Sequence, residues 1–110
     1  MVEHSPRLDQ VFRALGDSTR RAMLRRLASQ ERTVSELALP FAMSLAAASK
    51  HIKALEKAGL VRRTVRGRVH YCRLNPQPLA QADDWLRSYQ RLWDQRLESL
   101  EAMLRHPQKE

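Results

Sequence analysis

TVSELALPFAMSLAAASKHIKALEKAGLVRRTVRGRVHYCRL, residues 33–74, decides how the rest of the chain is read. Thr33 with Glu36 three positions on is a reciprocal helix cap: the hydroxyl accepts from one free amide and the carboxylate from the other. The helix they open is short, because Pro40 stops its regular continuation and Phe41-Ala42-Met43 makes a turn. Ser44 caps a second helix. Within it Leu45, Ala48, Ile52 and Leu55 recur at intervals of 3, 4 and 3, which defines a buried seam. Ala46, Ala47, Ser49, Lys50, Lys53 and Lys57 then face outward. Gly59 is able to take the left-handed conformation that ends a helix, with Leu60 packing back on Leu55. Two β-type runs follow, Val61–Arg66 and Arg68–Leu74, with Gly67 supplying the turn. The stretch therefore spells helix, turn, helix over 33–58 and a hairpin over 60–74.

Upstream, Leu8, Val11, Phe12 and Leu15 fall on one face of a helix over 7–15, ended by Gly16. Asp17 caps the next helix, about 18–29, which buries Met23, Leu24 and Leu27. Arg20, Arg21, Arg25 and Arg26 lie on its other faces. Downstream, Asn75-Pro76-Gln77-Pro78 starts a last helix over 76–105, where prolines in the first turn lose no hydrogen bond. Its apolar positions are Leu79, Ala82, Leu86, Tyr89, Trp93, Leu97, Leu100 and Leu104, with Trp85, Leu92 and Met103 in a second stripe. A 110-residue chain offers too small a core to cover both stripes. The simplest cover is the same helix of a second copy. The expected architecture is one domain over 1–110, mainly α with a small β-hairpin and about five helices, dimerising through its first and last helices. Leu8, Val11, Phe12, Leu86, Tyr89, Trp93, Leu97, Leu100 and Leu104 are the candidate interface residues.

Charge points to the partner. The formal net charge is +8. Residues 44–75 carry Lys50, Lys53, Lys57, Arg62, Arg63, Arg66, Arg68 and Arg73 against Glu56 alone. Eight cations against one anion put nearly the whole excess in under a third of the chain, an electrostatic footprint for a polyanion. A helix-turn-helix delivers the start of its second helix to base edges in a DNA major groove. That places Ala46, Ala47, Ser49, Lys50 and His51 nearest the bases and Ser44 near a phosphate at the helix start. Lys53 and Arg62 anchor. Arg66 and Arg68, on the hairpin tip, suit phosphates or a narrow minor groove, as a wing does. Arg20 and Arg21 are further candidates for a backbone contact. The expected partners are double-stranded DNA and a second copy of the chain.

ALGDSTRRAMLRRL, TVSELA, SLAAASKHIKALEKAGLV and RRTVRGRVHYCRL, in this order, resemble the ArsR-type (arsenic-repressor-like) winged helix-turn-helix regulators over about residues 8–105. The resemblance implies a homodimer bound to an inverted repeat in its own promoter region, and repression that ends when a signal disfavours the DNA-bound shape. The chain departs from the metal-sensing members. Their third helix holds a Cys-x-Cys pair, where this chain has Thr33 and Ser35, poor ligands for soft metals. The other metal site of the family needs histidines on the last helix, which has none before His106. No metal or other cofactor is expected, and the effector is unknown.

Cys72 is the single cysteine. It reads either as a redox-sensing thiol, if basic neighbours lower its pKa, or as a small apolar residue packed in the hairpin. Tyr71 and Trp85 line a ligand pocket or the core; His4 and His106 belong to tails. No nucleophile with a base at useful spacing, no glycine-rich phosphate loop and no His/Cys cluster is present, so catalysis is not expected. Neither a membrane span nor a signal-peptide core is visible, and the cytoplasm is the expected compartment. Two rivals to a DNA-binding repressor are a thiol- or metal-responsive sensor of the same fold and a winged-helix module that docks on protein without DNA.

Overall fold

The computed structural model describes residues 6–105, so His4 and His106 lie outside the described residues. The elements run α1 (Pro6–Leu15), α2 (Ser18–Leu27), β1 (Arg32–Thr33), α3 (Val34–Ala38), a 3-10 turn at Leu39–Phe41, α4 (Leu45–Lys57), β2 (Val61–Arg66), β3 (Val69–Leu74) and α5 (Gln77–Arg105). The helix caps expected at Asp17, Thr33 with Glu36, Ser44 and Gly59 all form, while α2 ends at Leu27, two residues short of the expected 29. Asp17 Oδ1 accepts from the amides of Thr19 at 2.8 Å and Arg20 at 3.1 Å. The Arg20 amide is the main reason its carboxyl sits below the usual carboxylate range. Thr33 Oγ1 accepts from the Glu36 amide at 3.1 Å, while Glu36 Oε1 accepts from the Thr33 amide at 2.8 Å. Ser44 Oγ accepts from the Ala47 amide at 3.1 Å. At the far end of α4, Gly59 has φ 78°. There the Leu60 amide donates to the Leu55 carbonyl and the Gly59 amide to the Glu56 carbonyl, both at 2.9 Å, closing a Schellman ending.

The turn between α3 and α4 rests on Ala42, whose φ is 50°. A left-handed L-residue costs roughly 1–2 kcal/mol, against about 0.5–1 kcal/mol for the extra chain entropy of a glycine. The Ala42 side chain is exposed, so it contributes little burial. Ala42→Gly is therefore expected to raise unfolding stability by roughly 0.5–1 kcal/mol in urea titration; a lower midpoint would contradict this balance.

Met23, Leu37, Ile52, Leu55, Leu60, Val11 and Cys72 form the fully buried centre. The hairpin runs in register from Val61↔Leu74 to Arg66↔Val69. Gly67 (φ 63°) and Arg68 remain as its two-residue loop, the type that wants glycine first. The second strand thus begins one residue later than the sequence pattern suggests. A third strand, β1, is not announced by the sequence. It pairs Arg32↔Cys72 and Thr33↔Tyr71, giving the order β1-β3-β2.

Three expectations are corrected. Leu45, placed on the buried seam by its spacing, is 56% exposed: it is the first residue of α4 and lies past the end of the core. Val11, expected between copies, has no exposed surface and anchors α1 inside its own chain. Arg20 and Arg21 are already engaged. Arg20 donates from Nε to the Ala14 carbonyl at 2.8 Å and from Nη2 to the Arg13 carbonyl at 3.1 Å. Arg21 Nη1 donates to the Leu15 carbonyl at 2.6 Å. These guanidiniums close the C-terminal carbonyls of α1, where positive charge is favoured, rather than waiting for phosphate.

Only the start of α5 docks on the body, burying Pro78 and Ala82. Phe12 meets Trp85 edge-on at 5.6 Å, Trp85 stacks on Tyr89 at 5.5 Å, and Tyr89 meets Trp93 edge-on at 6.3 Å. Beyond this ladder the helix stands clear of the body. Leu86, Tyr89, Leu92, Trp93, Leu97, Leu100, Met103 and Leu104 are 47–75% exposed. The radius of gyration is 20.0 Å, against roughly 13 Å for a compact chain of this length.

Candidate nucleic-acid interface

The reading surface is set by the way α4 is pinned. Ala48, Ile52 and Leu55 are completely buried, so the opposite face is turned fully to solvent. At about 100° per residue, that face carries Ala46, Lys50, Lys53 and Lys57, all exposed, with Ser49 and Ala47 half-buried on its two flanks. The face is thus small near the helix start and cationic beyond it, a shape and charge that a major groove can admit. Ser44 is exposed, and its oxygen is occupied as a cap, leaving the hydroxyl proton available to a phosphate. His51 does not join this face. It lies on the flank toward α2, half-buried, with Nδ1 3.4 Å from Arg20 Nη1.

The hairpin is held beside α4 by the one acid of the basic segment. Arg63 Nη2 donates to Glu56 Oε1 at 2.8 Å, and Arg63 Nη1 lies 3.3 Å from His70 Nδ1. This pair ties β2 to the last turns of α4 and so sets the angle of the wing. Arg66 is also engaged. It pairs with Glu31 in the loop before β1, and its guanidinium lies 4.1 Å from the centre of the Tyr71 ring, a cation–π contact. Arg68, in the turn, has no ion-pair partner among the described residues, and neither do Lys50, Lys53, Lys57 or Arg62. Of the eight cations read from sequence, Arg63 and Arg66 are thus held in ion pairs, while Lys50, Lys53 and Lys57 on α4 and Arg62, Arg68 and Arg73 on the hairpin have none among the described residues.

Between the head of α4 and the wing lies an open recess of about 360 Å³, lined by Val34, Leu45 and Ser49 on one side and by Arg68, Val69 and His70 on the other. Sequence reasoning missed Leu45 as a surface group. Its position immediately after the cap, a turn before the seam is covered, is the signal that finds it. Glu31 carried no such signal.

Cys72 is fully buried in the core. Burial pushes its thiol up, with Arg63 opposing more weakly, which disfavours the thiolate a redox sensor needs. Tyr71 packs against Arg66, and Trp85 against Phe12 and Tyr89. Among the described residues no three His, Cys, Asp or Glu side chains converge as a metal site, and no helix is long and apolar enough to cross a membrane.

A capped helix-turn-helix that presents small and cationic side chains, with a basic hairpin beside it, defines a winged helix-turn-helix. A helix-turn-helix domain family model matches residues 15–64. The HTH-type transcriptional regulator Rv2034 of Mycobacterium tuberculosis is 40% identical over 72 residues, which span 66% of this chain and 67% of that protein. Among solved structures, the ArsR family transcriptional regulator RHA00566 superposes with a TM-score of 0.79 at 42% identity, over 86% of this chain and 97% of that one. The homodimeric winged helix-turn-helix DNA-binding domain Mb0332 of Mycobacterium bovis, described as a possible ArsR-family regulator, gives 0.62 at 27% identity, over 81% and 89%. The chain belongs to the ArsR family of helix-turn-helix transcriptional regulators.

Proposed function

We propose that the protein is a cytoplasmic repressor that binds an inverted repeat, its own promoter included, as a homodimer paired through α1 and α5. The observation that carries this reading is the exposed stripe Ala46, Lys50, Lys53 and Lys57, directly opposite a seam with no exposed surface. A helix so fixed has one face to offer, and it suits an anion with a groove. The homodimeric state described for Mb0332 and the uncovered apolar length of α5 support pairing. Two recognition helices related by a two-fold axis then address half-sites on the order of 34 Å apart. Repression does not respond to metal in this reading: hydroxyls stand at the thiolate positions, and that of Thr33 is engaged as a cap.

Selection of bound fragments from the parent genome tests the proposal. Sites with two-fold symmetry, one of them upstream of the protein's own gene, are expected; no enrichment would refute it. On a recovered site, Arg68→Ala is expected to weaken all duplexes alike and to flatten the salt dependence by about one charge per copy. Ser49→Ala is instead expected to alter the ranking of sequences, by about 1–3 kcal/mol at one base pair. Competition gel shifts distinguish the two, and equal behaviour of both variants would reject this division of labour.

A further inference from the structure

Leu45 is out of place for a residue whose spacing belongs to the core. It is more than half exposed at the head of α4 and lines the same recess as Val34 and Val69, itself 42% exposed. One exposed leucine is ordinary. Here, however, three branched apolar side chains share a recess between the head of α4 and the wing, beside the exposed stripe of α4, and Arg68 and His70 line it as well. The charge around the recess selects against an apolar protein partner. In a duplex major groove, the apolar group on offer is the 5-methyl of thymine.

Resting on the DNA-binding reading above, we propose that Leu45, in the recess it shares with Val34 and Val69, selects thymine at one position of each half-site by covering its methyl group. Ser49 and Lys50 then read by hydrogen bonding from the same helix, and Leu45 reads by excluding water. A cytosine there carries only hydrogen at the carbon that bears the thymine methyl, so the contact is lost.

The test replaces each thymine of a recovered genomic site in turn by deoxyuridine, which deletes only the methyl. Binding is measured for the wild type, Leu45→Ala and Leu45→Met. At one position per half-site the wild type is expected to lose about fourfold in affinity, the worth of one buried methyl, and about 15-fold with both half-sites changed. Leu45→Ala is expected to be indifferent to the change there and to bind the thymine duplex as weakly as the wild type binds the uridine one. Leu45→Met should keep most of the sensitivity. A wild type insensitive at every thymine, or an alanine variant as sensitive as the wild type, overturns the inference while leaving the regulator reading intact. A wild type that binds no fragment at all overturns both. Because Leu45 lies outside the core, all three proteins are expected to share one far-ultraviolet circular dichroism spectrum.

Discussion

Replacing Leu97 and Leu100 together by glutamate is expected to leave the chain folded and to separate it into single copies. Both side chains are about half exposed in the isolated chain, at 55% and 52%, so their loss costs the monomer little. Across a two-fold axis the same change buries four carboxylates per pair. The effective penalty for a buried, unpaired ion is several kcal/mol. Even at ~1 kcal/mol each, allowing for water at the rim, four of them weaken association by roughly a thousandfold. DNA binding then loses the advantage of two linked heads, about 10²–10⁴-fold. Sedimentation velocity, circular dichroism and gel shift measure the three quantities. A variant that sediments as a dimer and keeps its DNA affinity would remove α5 from the interface.

The second large effect is on salt. Lys50, Lys53, Lys57, Arg62 and Arg68 have no ion-pair partner among the described residues. Arg63 and Arg66 are held by Glu56 and Glu31. In the proposed dimer, two copies would bring these ten unpaired cations to the duplex. If six to ten phosphates are neutralised, affinity should fall by about 10³–10⁵ between 50 and 200 mM monovalent salt. A binding isotherm flat over that range would show that these side chains do not meet phosphate, whatever else the protein binds.

Much of the frame is legible before any coordinates because it is local. Asp17, Thr33 with Glu36, Ser44, and Gly59 each satisfy amides or carbonyls within a few residues, so their spacing alone announces them. The seam of α4 is legible for the same reason. What stays hidden depends on where the core ends and on contacts between distant segments. Periodicity gives the direction in which Leu45 points, yet not that the body stops short of it. It marks Val11 as apolar, but not whether its own chain or a partner covers it. Arg20, Arg21 and Arg66 look like phosphate ligands on charge alone. Two are taken by carbonyls at the end of α1 and the third by an acid 35 positions away. A two-residue strand such as β1 has no pattern of its own; its partner β3 creates it.

The aromatic ladder gives the molecule an optical signal of its own. Trp85 lies half-buried between Phe12 and Tyr89, whereas Trp93 at the far rung is half open to water. Indole emission moves to shorter wavelength as water leaves the ring, so if α5 pairs as proposed, raising the concentration of unlabelled protein is expected to shift the Trp93 contribution more than that of the already half-buried Trp85. Fluorescence of the wild type against dilution, with Trp93→Phe as the silent control, reads the assembly constant without a dye.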